Sequence, residues 1–180
     1  KTIAILANKG ATAREMLSRV TLALENLPFF LQPGCRALNK GNIAFGNNTE
    51  IIAAATSGSS IRGLSINLLF LDEFAFVENA TTFYTSTYPV ISSGQETKVI
   101  ITSTPNGVGN WFHRTWMDAE DGLNDFNFIK LHWTVHPDRG EEYRKEQDSL
   151  LGPSLAAQEC DCDFITSGQT VVDGIILEEY

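Results

Sequence analysis

Asp72 and Glu73 are adjacent carboxylates that close the apolar run Leu68-Leu69-Phe70-Leu71. A run of this kind is the pattern of a central parallel strand covered on both faces, and the carboxyl end of such a strand is where open α/β sheets bind ligands. An aspartate there can hold Mg²⁺ directly or through water. The next residue, facing another direction, can orient and deprotonate a water that attacks a γ-phosphate. This is the pattern of a Walker B strand with a catalytic glutamate. Four apolar residues before Asp-Glu also describe a plain strand ending at a solvated acidic turn, and the segment alone does not separate the two.

The segment Thr102-Ser103-Thr104-Pro105-Asn106-Gly107 follows a second apolar run, Lys98-Val99-Ile100-Ile101. Small hydroxyl residues at a strand's carboxyl end can hydrogen-bond a phosphate or a catalytic carboxylate without filling the cleft. Neighbouring strands that end in Asp-Glu and in Ser-Thr-Pro are the nucleotide-sensing arrangement of strand-glutamate ATPases and helicases.

These residues need elements to position them. Ile3–Ala7 reads as a buried strand, and Met16, Val20, Ala23, Leu24 and Leu27 give helical spacing over 12–27. The Gln32-Pro33-Gly34 cluster opens a connector, and 42–45 with 50–55 read as a hairpin around Gly46-Asn47-Asn48. A small-residue loop, 57–63, leads into the Asp72 strand. A helix is expected over 80–90, a strand over 98–103, and a helix carrying Trp111, Phe112 and Trp116 after Gly107. A further strand is expected over 126–133, and helices over 141–151 and 153–160. Strand and helix alternating in this order predict a parallel α/β sheet.

Composition sets limits. The chain has 180 residues, 43% hydrophobic and 19% charged, which suits one domain with a sizeable core. Its apolar runs are strand-sized, so no membrane span is expected. The net charge of −9 disfavours a stand-alone nucleic-acid binder. Cys35, Cys160 and Cys162 cannot all pair with one another, and they read as reduced structural thiols. Asp161, Asp163 and Asp173 read as solvated rather than as a nuclease cluster, and His132 with His136 as residues leaving a strand rather than a zinc pair. Trp111, Trp116 and Trp133 read as packing residues rather than base-stacking platforms.

The combination of 5–10, 27–34, Arg62-Gly63, Leu71-Asp72-Glu73-Phe74-Ala75-Phe76, 89–94 and 102–107 resembles the ATPase domain of the phage large terminase subunit, T4 type. The resemblance extends to about Asn110 and thins beyond it. It implies a P-loop NTPase-like fold of the RecA/ASCE type, with a mainly parallel sheet and flanking helices. It further implies ATP-driven translocation of double-stranded DNA into a procapsid, in the cytoplasm of an infected host, with portal protein, small terminase subunit and neighbouring large-terminase subunits as partners. By position, Asp72 would organise Mg²⁺ at the nucleotide, Glu73 would be the catalytic base, and Ser103, Thr104 and Pro105 would form the coupling motif. Arg62 would be a finger toward a neighbour's nucleotide, a surface charge being the other reading.

A phosphate-cradling loop, G-x-x-x-x-G-K-[ST], is not found in the sequence. Residues 34–41 have Lys40 but Asn39 in place of the second glycine, and 53–60 lack the lysine. The expectation is an N-terminally truncated ATPase domain over 1–165, with 166–180 as a tail or the start of a linker toward a nuclease domain beyond Tyr180. Such a chain should hold no ATP or Mg²⁺ tightly and hydrolyse little alone. Two other readings stay open: a helicase-like ATPase fragment, and a noncatalytic module that docks to portal, small terminase or DNA.

Overall fold

The computed structural model describes residues 1–57, 59–92 and 97–165. Ser93 and Gly94, Asp173 and the expected tail over 166–180 lie outside the described residues. The chain divides into two compact units, Lys1–Ser103 and Thr104 onward.

The first unit holds a six-stranded sheet of β1 (Thr2–Ala7), β2 (Cys35–Leu38), β3 (Asn42–Phe45), β4 (Glu50–Ala55), β5 (Leu68–Asp72) and β6 (Lys98–Ile101). Their order across the sheet is β2-β3-β4-β1-β5-β6. The pairings β1–β4, β1–β5 and β5–β6 are parallel, while β2–β3 and β3–β4 are antiparallel. The sheet is therefore mainly parallel, with an antiparallel flank at one side. The hairpin expected over 42–55 is β3 and β4, tied by the Asn42 side-chain amide donating to Glu50 Oε1 at 2.8 Å. β2 occupies what the sequence marks as connector. It is a four-residue edge strand without a buried side chain, so it has no hydrophobic pattern to announce it.

α1 (Gly10–Glu25) lies where a helix is expected, shifted two residues toward the N-terminus. Its register is set by Leu17, which packs with Ile5, Ile43, Phe45 and Ile51, and by Met16, Val20 and Leu24 around them. On the alternate positions of the central strands Ala4, Leu6, Leu69 and Leu71 have no exposed surface. Both faces of β1 and β5 are thus covered, as a near-continuous apolar strand requires. Each buried leucine contributes about 2 kcal/mol. α2 (Ala80–Ser92) follows β5, and its buried Phe83 meets Phe74 edge-on with ring centroids 5.9 Å apart.

The second unit contains α3 (Trp111–Glu120), α4 (Glu141–Leu151) and α5 (Pro153–Ala156), the last running into a π-helical turn at Ala157–Asp161. Asn110 caps α3 by accepting from the His113 backbone N–H at 2.9 Å. Trp116 packs with Phe112, Phe128 and Phe164, in keeping with a packing role. The strand expected over 126–133 is not formed: the stretch has no regular structure until a 3-10 turn at Trp133–Val135. A strand exists only through its partner's hydrogen bonds, and this segment's groups go elsewhere. The Phe126 N–H donates to Asn124 Oδ1 at 2.9 Å, and the Leu131 carbonyl accepts from the Cys162 thiol at 3.5 Å. Ile129 and Leu131 remain largely exposed.

Asp161 also departs from its expectation of a solvated charge. Arg144 grips it with a two-pronged contact, Nε to Oδ1 at 2.9 Å and Nη2 to Oδ2 at 2.7 Å, while Nη1 pairs with Asp148. Hydrogen bonding to Arg144 holds the Asp161 carboxyl below the usual carboxylate range, against the opposing effect of partial burial. His132 Nε2 lies 3.6 Å from the same carboxylate. Among the described residues no helix is long and apolar enough to cross a membrane.

Candidate nucleotide site

The register of the parallel sheet decides what stands beside Asp72. Leu71 aligns with Ile101, so the next residue on each strand, Asp72 and Thr102, continue the alignment past the last strand pairing. The Thr102 hydroxyl donates to Asp72 Oδ1 at 2.7 Å. The Thr102 backbone N–H donates to the Leu71 carbonyl at 2.9 Å, closing the ladder one residue earlier. The two strand tips therefore share a rim.

Glu73 turns the chain. Its backbone is left-handed, with φ 54° and ψ 37°. That conformation costs a non-glycine residue about 1–2 kcal/mol. Burial of Phe74, which has no exposed surface, offsets a cost of that size. The reversal sends the Phe74 ring inward and keeps Glu73 at the rim, only partly buried. Three backbone donations hold the turn. Phe74 N–H reaches the Thr102 carbonyl at 3.3 Å, Ala75 N–H reaches Ser103 Oγ at 3.1 Å, and Phe76 N–H reaches the Glu73 carbonyl at 3.0 Å. Ser103 thus accepts a hydrogen bond from the loop that carries the acidic pair.

The remaining expected residues are placed differently. Thr104 begins the second unit, where its hydroxyl lies 3.5 Å from Glu159 Oε1, and Pro105 is buried. Arg62 is exposed on the turn before β5, between buried Ile61 and Gly63, whose φ is +80°. The structure thus joins Asp72, Glu73 and Ser103 at one rim and leaves Arg62 facing solvent.

A polar cleft of about 370 Å³ lies at the same end of the sheet. Asn8 follows β1, Thr56 and Ser57 follow β4, and Val77, Glu78 and Asn79 follow the β5 turn. β1 is the strand from which the chain runs first to one side, to β4, and then to the other, to β5 and β6. Open α/β sheets bind their ligands at such a switch point. Thr56 Oγ1 is buried there without a hydrogen-bond partner among the described residues. Thr102 as the specific partner of Asp72, and the cleft residues Asn8, Thr56 and Asn79, escape a reading of motifs. In-register pairing of two parallel strands is the signal that finds Thr102, whereas the cleft needs the strand order.

The donor set at the rim suits Mg²⁺. It is hard oxygen throughout: the Asp72 carboxylate with the Thr102 hydroxyl beside it, and the Glu73 carboxylate on the next residue. Mg²⁺ is commonly held by one or two carboxylates, waters and substrate phosphates rather than by an all-protein cage.

The fold is shared with solved structures. One is the large terminase ATPase domain of Thermus phage P74-26, at 19% identity and TM-score 0.67, covering 92% of this chain and 77% of that one. Another is the large terminase of a second thermophilic bacteriophage, in complex with ADP, at 12% identity and TM-score 0.69, covering 91% of this chain and 40% of that one. At these identities the likeness establishes a terminase-like ATPase fold. The family model of the terminase large subunit, T4likevirus-type, N-terminal, matches residues 1–178, and on that extent the chain belongs to the T4-type terminase large-subunit family.

Proposed function

We propose that this chain is the part of a phage DNA-packaging motor that senses and hydrolyses the γ-phosphate of ATP. Asp72 holds Mg²⁺ at the nucleotide, and Glu73 acts as the general base on the attacking water. The single observation that carries this reading is the shared rim, where Thr102 donates to Asp72 while the next residue, Glu73, stands in a left-handed turn. The Thr102 hydroxyl fixes one oxygen of Asp72, so that the carboxylate is oriented before any ligand arrives. The Glu73 turn keeps a second carboxylate off the strand axis, in reach of a different atom. When bound, Mg²⁺ would neutralise charge on the phosphates.

Coupling follows from the same contacts. Ser103 accepts from Ala75, so a shift of the acidic turn displaces the start of the Ser103-Thr104-Pro105 segment. Arg62, exposed and without an ion-pair partner among the described residues, can reach outward, toward a neighbouring subunit's nucleotide. The phosphate-cradling motif is not found in these 180 residues, and we infer that the chain alone binds ATP weakly and turns over little of it. Double-stranded DNA, portal and small terminase are the partners that the family membership suggests for the whole motor.

The test is ATP hydrolysis by a terminase large subunit that contains both this chain and a phosphate loop. Glu73→Gln should lower kcat by a factor of about 10²–10⁴ with nucleotide affinity retained, and Asp72→Asn should weaken Mg-ATP binding itself. Unchanged turnover in Glu73→Gln would remove the assignment.

A further inference from the structure

Arg62 occupies the second position of a four-residue turn, closed by the Leu64 N–H donating to the Ile61 carbonyl at 3.2 Å, with Gly63 at φ +80° in the third. A β-turn with a positive φ at its third position takes glycine there, and its second residue stands at the corner. Ile61 is 2% exposed whereas Arg62 is open to solvent, so the chain is plugged into the core on one side of the corner and offers the guanidinium on the other.

Ser60 supplies a second anchor. Its Oγ donates to the Ala55 carbonyl at 2.5 Å, accepts from the Ser57 backbone N–H at 3.2 Å and lies 2.5 Å from Ser57 Oγ. A hydroxyl has one proton and two acceptor lone pairs. With its proton on Ala55, Ser60 accepts from the Ser57 hydroxyl as well as from the N–H, and all three positions are used. The Ser60 N–H in turn donates to the Ser57 carbonyl at 3.1 Å. One side-chain oxygen thus ties the base of the Arg62 turn to the last residue of β4.

That residue stands on the row of the acidic rim. Ala55 aligns with Ala7 of β1, and Ala7 aligns with Asp72 of β5. The Arg62 turn and Asp72 are therefore fixed to the same end of one sheet, two strands apart. Arginine has a long flexible side chain, and a backbone held in place lowers the freedom lost when its guanidinium meets a developing charge.

We propose that Ser60 is a positioning residue for Arg62, its hydroxyl setting the direction in which the turn presents the guanidinium to a neighbouring subunit's nucleotide. The inference rests on the reading of Arg62 as a finger toward that nucleotide. The test is steady-state ATP hydrolysis by a terminase large subunit that contains both this chain and a phosphate loop. Arg62→Ala should lower kcat by a factor of about 10³ or more. Ser60→Ala keeps the guanidinium but frees the turn, and should lower kcat by about 10–10² with KM for ATP unchanged. The Ser60→Ala/Arg62→Ala variant should be no slower than Arg62→Ala alone, because the anchor then has nothing to position, whereas a loss of folded protein would multiply the effect of Arg62→Ala. Parent-like turnover in Arg62→Ala removes the role of Arg62 and the proposal with it. Slow turnover in Arg62→Ala beside parent-like turnover in Ser60→Ala overturns the proposal alone and leaves Arg62 its role. So does a Ser60→Ala loss that lies in KM, and so does a double variant slowed by the product of the two single factors.

Discussion

At the scale of single residues, Glu73 carries both a role and a strain, and the two can be separated. Glu73→Ala and Glu73→Gly delete the same carboxylate and its contacts, but only alanine keeps a Cβ at φ 54°. The glycine variant should therefore be the more stable by about 1 kcal/mol, the left-handed penalty less the greater chain entropy of unfolded glycine. Urea unfolding of the pair measures this, and an alanine variant equal to or more stable than glycine would show that the turn is unstrained. Thr102→Val keeps the shape and removes the hydroxyl that donates to Asp72 at 2.7 Å. A loss of about 1 kcal/mol is expected, read as a lower denaturation midpoint at unchanged slope. The strand end that carries the acidic pair was legible in the sequence, because an apolar run closed by charge marks where a buried strand stops, whereas the run alone does not tell a nucleotide site from a solvated acidic turn. Thr102 was less so, since Thr102, Ser103 and Thr104 are chemically alike and only strand register distinguishes the one that faces Asp72.

At the scale of elements, α1, β1 and β5 were readable because one face or both are buried, so their periodicity records the packing directly. β2 and the stretch 126–132 failed in opposite ways. Cys35–Leu38 forms a strand without any pattern, since an edge strand needs only a partner's backbone. Phe126, Phe128 and Leu131 show a strand's composition without pairing, because Phe128 is used against Trp116 instead. The contact of α4 with the π-helical turn was hidden for another reason: Arg144 and Asp161 lie 17 residues apart, and charge alone does not announce a pairing at that distance. It is testable through pH. Arg144 lowers the carboxyl pKa of Asp161 in the folded state, so the unfolded chain takes up that proton first as pH falls. The contribution is fully present above the unfolded value, near pH ~3.9, and is lost as pH falls through the lower folded value. Asp161→Asn should cost about 2 kcal/mol at neutral pH, the worth of hydrogen bonds to a charged group. The gap to the parent chain should close on acidification below that range. A gap independent of pH would mean that the pairing contributes nothing through its charge.

At the scale of the whole molecule, charge restricts what the chain can do unaided. Its 22 carboxylates outnumber 13 lysines and arginines, so duplex DNA meets net repulsion except where cations are locally exposed. Arg62 is such a place, standing on the turn before β5 with its guanidinium unpaired among the described residues. Non-specific duplex affinity therefore should be no tighter than a Kd of about 10⁻⁴ M at physiological salt, and the fall of log K with log salt should be shallow, with about two or three phosphates engaged. Arg62→Ala should remove about one unit of that slope if the residue touches a phosphate, and none if it serves only a neighbouring subunit's nucleotide. Fluorescence anisotropy of a labelled duplex over a salt series gives both quantities. A steep slope with tight binding would show that the local cationic surface outweighs the net charge, and would make this chain a principal DNA grip of the motor.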